Sequence, residues 1–198
     1  QVGAWAHSAC LDYYRSGDPN YALIAKEALY RLADIVAKMK AIDDSRGVIY
    51  LPAVFDLCEE ATVWTDEDRD RLSRFLYQFA LKAPYADSVI EPSPIPEGNN
   101  WDIRTAWECA RYFQKYYGMD IQGLVAKCDQ YFRNMMTWKS REDCPGYGSM
   151  TVIDILHYVL KKPAHEMYFD SGLARQMADY AMTVTDNLGG LAGFGDIS

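Results

Sequence analysis

Residues 16–40, SGDPNYALIAKEALYRLADIVAKMK, read as the end of one helix, a tight turn and a long second helix. The first segment stops at Gly17-Asp18-Pro19, Asp18 stands at the start of the second, and the second is traced from Asn20. From Asn20 onward, Tyr21, Ile24, Ala28, Leu32, Ile35, Val36 and Met39 trace a stripe at helical spacing. Lys26, Arg31, Lys38 and Lys40 take the other face, so the segment is expected to be an amphipathic outer helix.

The same grammar extends in both directions. Upstream, Trp5, Ala6, Ala9, Cys10 and Tyr13 recur at helical spacing. Downstream, residues 51–63 form a third segment with Pro52 in its first turn. Thr65 caps a fourth, with Asp68 three residues on in the place of a capping box and Leu72, Phe75, Leu76 and Phe79 on its apolar side. Asn99 or Asn100 caps a fifth, which carries Trp101, Ile103, Trp107, Ala110 and Phe113 to Gly118. Asp120 caps a sixth reaching Trp138, residues 151–160 make a seventh, and residues 171–187 an eighth. β-Branched alternation is scarce, so no sheet is expected.

The expected fold is therefore all-α, built of antiparallel helical hairpins. Asp18, Asp66, Asp120 and Asp170 each stand at the start of a second hairpin member, at a spacing of roughly fifty residues. The first-of-pair helices are poorer in Lys, as an inner ring requires, which favours part of an (α/α) toroid over a linear solenoid. Six such hairpins need about three hundred residues. Residues 1–198 are accordingly expected to be a single domain from a longer chain, whose natural start lies upstream of Gln1.

Composition narrows the partners. The net charge of -8, with Lys and Arg outnumbered by Asp and Glu, disfavours nucleic acid, because phosphate neutralisation needs a basic surface. No apolar run reaches the ~20 residues of a membrane span. Five cysteines, Cys10, Cys58, Cys109, Cys128 and Cys144, are odd in number and have no CxxC spacing. They are expected to be buried free thiols rather than a zinc site or disulfide frame. No metal or cofactor is called for.

In an antiparallel array alternate turns fall at one end, and here those turns are the elaborate ones: Asp43 to Gly47, Pro84 to Asn100, Arg141 to Ser149, and Asp186 to the terminus. That rim is where a site is expected. Residues 91–102, EPSPIPEGNNWD, deliver two amides, an indole and a carboxylate at a helix start, where free N–H groups suit an anionic ligand. Residues 141–150, REDCPGYGSM, hold Tyr147 between two glycines in a loop, and residues 189–196, GGLAGFGD, end on Asp196. The glycines match no nucleotide-binding spacing.

Gly98-Asn99-Asn100-Trp101 opening an inner helix, then residues 142–148, EDCPGYG, then Gly193-Phe194-Gly195-Asp196, resemble in order and layout the catalytic toroid of heparinase II/III-like polysaccharide lyases. The resemblance implies β-elimination in uronate-containing glycans, an acidic polysaccharide or oligosaccharide as substrate, a β-sandwich domain following the toroid, and a periplasmic or secreted location. A lyase removes the proton at C5 of a uronic acid and expels the C4 substituent, so it must neutralise the carboxylate and supply a base and an acid. By the resemblance, Asn99 and Asn100 neutralise the carboxylate and stabilise the enolate, and Tyr147 is the catalytic Tyr. Trp101, Asp102 and Asp196 border the substrate, and Arg46, Arg104 and Arg141 hold the sugar acid. Where the family commonly places a His beside the neutralising Asn, this chain has Trp101. His7 and His157, on candidate inner helices, are the available substitutes, with His157 taken as catalytic; His165 falls at the opposite end.

Two alternatives remain open. A glycoside hydrolase on the same toroid needs only two carboxylates, drawn from Asp43, Asp44, Glu97, Asp102, Asp143 and Asp196. A noncatalytic helical-repeat module binding carbohydrate or protein would use the fifteen Tyr and five Trp for stacking.

Overall fold

The computed structural model describes residues 2–38, 51–82, 100–137, 145–161 and 165–190. Among the described residues the fold is all-α, with helices packed on helices and no strand. Nine helices are described: α1 (Val2–Ser16), α2 (Pro19–Lys38), α3 (Leu51–Cys58), α4 (Asp66–Lys82), α5 (Asn100–Tyr117), α6 (Leu124–Thr137), α7 (Pro145–Lys161), α8 (His165–Asp170) and α9 (Leu173–Thr183). The chain falls into two compact units, Gln1–Ser88 with Trp101–Cys128, and Val89–Asn100 with Asp129–Ser198.

In the first unit α1 packs on α2 and α3, and α2 on α3 and α4. The α1–α2 turn forms as its residues dictate. Gly17, at φ +70°, lets its N–H return to Tyr13 O at 2.7 Å, and the Asp18 carboxylate accepts the Asn20 N–H at 2.9 Å. The two helices meet through small side chains: Gly3, Ala6, Ala9 and Cys10 are buried on α1, Ala22, Ala25 and Ala28 on α2.

The buried side of α2 corrects the expected stripe in part. Ile24 and Ile35 are exposed, Trp5 is 68% exposed, and the buried side of α2 runs Ala22, Ala25, Ala28, Leu29, Leu32 and Val36. Ala28, Leu32 and Val36 of the expected stripe are buried as read, and the buried side is rotated from it toward Ala22, Ala25 and Leu29. Lys26, expected on the outer face, is turned inward to Asp68.

α3 ends at Cys58, short of the expected residue 63. The chain then turns through Ala61 N–H to Cys58 O and Trp64 N–H to Ala61 O, both at 3.0 Å. Arg69 of α4 satisfies the freed carbonyls, donating from Nε to Glu59 O at 2.6 Å and from its terminal nitrogen to Ala61 O at 3.1 Å. Trp64 is buried and donates its indole N–H to Ala22 O at 2.9 Å, tying this turn to α2. The capping box forms as expected: Thr65 Oγ1 accepts the Asp68 N–H at 3.1 Å, and Asp68 accepts the Thr65 N–H at 2.7 Å.

α5 runs to Tyr117 as expected, and Gly118 at φ +65° turns the chain so that Met119 N–H reaches Phe113 O at 3.2 Å. Asp120 does not cap α6. The chain makes a further turn through Gln122 (φ 53°) and Gly123 (φ +67°), and α6 starts at Leu124.

The second unit corrects two further boundaries. α7 opens at Pro145, six residues ahead of Thr151, because proline is suited to a first turn; Tyr147 is therefore helical rather than in a loop. The Lys162–Asp170 connection contains α8, and α9 stops at Thr183. α7 packs on α8 and α9, α8 on α9. Phe132 and Tyr158 stack with centroids 4.6 Å apart, and Ile155, Val159 and Tyr168 are buried.

Candidate functional site

In the first unit, residues 112–117, YFQKYY, end α5 as a bank of rings over α3. Tyr112 lies edge-on to Phe55 at 5.4 Å, with Tyr116 at 4.9 Å and Tyr117 at 6.0 Å on its other sides. Tyr112 is buried, whereas Tyr116 and Tyr117 are 49% and 55% exposed. The Tyr112 hydroxyl donates to Glu59 Oε2 at 2.5 Å. Glu59 stands just past the end of α3, held there by Arg69 on its own carbonyl.

The electrostatics of this corner raise the proton affinity of the Glu59 carboxyl. Burial pushes the Glu59 carboxyl above its ordinary value, Asp56 and Glu60 add to this, and the Tyr112 hydrogen bond and Arg69 oppose it. Burial and the Glu59 acceptor push the Tyr112 phenol up. At the rim the exposed Lys115 ammonium donates to Tyr116 Oη at 2.9 Å, a contact that raises its pKa. A carboxyl with raised proton affinity beside exposed aromatic faces is suited to proton donation and to stacking on a sugar ring.

A second polar node is structural. Asp68, on α4, is buried and accepts Lys26 Nζ at 2.8 Å, the Tyr30 hydroxyl and the Thr65 N–H. Burial alone raises its carboxyl. The Lys26, Tyr30 and Thr65 hydrogen bonds outweigh burial and hold it well below the usual carboxylate range. Tyr30 is pushed up to about 12 by burial and by Asp68, and the Arg71 guanidinium lies 4.3 Å from its ring centre. The node binds α2 to α4.

The residues singled out from sequence fall as follows. Asn99, Arg46, Arg141 and Asp196 lie outside the described residues, as do Asp43, Asp44, Glu97, Asp143 and Cys144. Asn100 is the first residue of α5, followed by Trp101 and Asp102, and Tyr147 is the third residue of α7. Arg104, expected as a rim cation, is buried at 8% exposure on the α5 side that also buries Trp107. His157 is half-buried on α7, and His7 half-buried on α1. Among the described residues no three His, Cys, Asp or Glu side chains gather as a metal-holding group, and no helix is long and apolar enough to cross a membrane.

The Glu59–Tyr112 corner was not anticipated from sequence. Its available signal was the Tyr112/Tyr116 spacing of four at the end of an apolar helix, which places two rings on one face. Nothing along the chain linked that face to a glutamate 53 positions earlier. Compared with protein-family models, curated proteins and solved structures, the chain matches none.

Proposed function

We propose that the chain is the helical part of a carbohydrate-active enzyme, a polysaccharide lyase that cleaves uronate-containing glycans by β-elimination. The observation that carries the reading is that α5 opens at Asn100, so this amide-bearing residue stands at a helix start. There free N–H groups and the positive end of the helix dipole favour a substrate carboxylate. Tyr147, in the first turn of α7, is the proton-transferring residue, and His157 lies ten positions further along the same helix. Tyr147 takes the C5 proton while the amides hold the carboxylate as an enolate, and the C4–O bond then breaks with the proton returned to the leaving oxygen. Arg46 and Arg141 grip the acid, Trp101, Asp102 and Asp196 border the sugar, and Arg104, being buried, positions α5. An (α/α) toroid closed by further hairpins, a following β-sandwich domain and a periplasmic or secreted location belong to the same proposal.

One observation favours a second reading. Glu59 holds its proton more tightly than an ordinary glutamate beside exposed Tyr116 and Tyr117, which is the property a glycoside hydrolase asks of its acid. Incubation of the full-length protein with a panel of uronate glycans separates the two. A lyase yields an unsaturated uronate that absorbs in the ultraviolet and is lost in Tyr147→Phe. A hydrolase yields new reducing ends without that absorbance, lost in Glu59→Gln. Neither product on any glycan defeats both.

A further inference from the structure

Cys10 lies on α1 and Cys58 is the last residue of α3, and these helices pack on one another. Both residues are 0% exposed, and their thiols hydrogen-bond to each other. The two thiols are therefore neighbours in the interior, on helices that pack together. The Cys109 thiol on α5 is raised by burial and by Glu108, which keeps it protonated and inert.

We propose that Cys10 and Cys58 form a disulfide that staples α1 to α3 when the chain meets a low-molecular-weight disulfide such as oxidised glutathione. The hydrogen bond from Cys58 draws the Cys10 thiol below its ordinary value against burial, while Cys58 is pushed up by that contact and by burial. One of the two, as its thiolate, bonds to one sulfur of the small disulfide, and the other sulfur leaves as a thiolate. The second cysteine then gives its proton to solvent and attacks the protein-bound sulfur, expelling the second small thiolate. Two protein thiols are oxidised and one small disulfide is reduced to two thiols. Because both residues are buried, the exchange runs during folding or when α1 and α3 open locally. The staple closes residues 10–58 into a loop, which restricts the unfolded chain. It does not rest on the lyase reading.

The test is to refold the full chain in a reduced/oxidised glutathione buffer, denature it, alkylate with iodoacetamide and measure the intact mass and the cross-linked peptides. With one bond, three of the five cysteines alkylate, and the peptide pair joins Cys10 to Cys58. Reduction then lowers Tm by on the order of 10 °C, and Cys10→Ser and Cys58→Ser each abolish that shift. The mapping on the unaltered chain needs no variant to fold. Five alkylated cysteines, a bond joining any other pair, or a Tm that reduction leaves unmoved would overturn the proposal.

Discussion

Asp68 and Glu59 are two partly or fully buried carboxylates with opposite fates, and the difference lies in their donors. Asp68 accepts from an ammonium, a phenol and a backbone amide, so its charged form is the stable one. Glu59 has one neutral phenol and acidic neighbours, so burial prevails. The folded pKa of Asp68 is depressed, and its contribution is present above the unfolded value of about 3.9 and lost as pH falls below it. The folded pKa of Glu59 is raised, and its contribution is present below the unfolded value of about 4.3 and lost as pH rises through the folded one. Wild type minus Glu59→Gln stability, from urea melts, should therefore decline as pH rises above the unfolded value; a flat or rising difference contradicts the assignment. Asp68→Ala leaves the Lys26 ammonium without its partner in a largely enclosed position, and a loss of roughly 3 kcal/mol is expected at pH 7. That loss should shrink as the wild type is acidified below pH 4.

At the scale of the element, the helix boundaries that held are those with local chemistry. The Ser16-Gly17-Asp18-Pro19 turn and the Thr65/Asp68 box were legible because each closes hydrogen bonds among residues within four positions of one another. Thr65→Ala should cost about 1 kcal/mol, seen as a lower urea midpoint with unchanged slope. Gly118 has open space where a Cβ would go, so Gly118→Ala tests backbone strain alone. At φ +65° a loss of about 1 kcal/mol is expected, and no loss would show that this turn relaxes freely. The boundaries that moved lacked such closure. Asp120 was read as a cap on residue type, but the double turn through Gln122 and Gly123 carries the chain past it before α6 begins. Tyr147 was read as a loop residue from its flanking glycines, whereas Pro145 starts a helix through them.

For the whole molecule, the interleaving of the two units has a consequence for dissection. α5 completes the first unit, with Tyr112 on Phe55 and Tyr77 5.7 Å from Phe113, although it lies beyond residue 88. A chain truncated to residues 1–88 leaves Phe55 and Tyr77 without that cover and is expected to melt without cooperativity in circular dichroism, while residues 1–137 melt cooperatively. Equal cooperativity in both would refute the role given to α5. The amino-acid order alone settled the all-α class, the starts of α2 and α4 and the end of α5, because helical periodicity and capping are set by residues within one or two turns. The tertiary structure alone set the rotation of α2 that buries Ala22, Ala25 and Leu29 and exposes Ile24 and Ile35, turned Lys26 inward, enclosed Arg104, and brought Glu59 to Tyr112 and Cys10 to Cys58. Those pairings join residues 42 to 53 positions apart or, for the cysteines, two separate helices. They depend on how closely backbones approach and on which partners meet in the interior, quantities that no local pattern encodes.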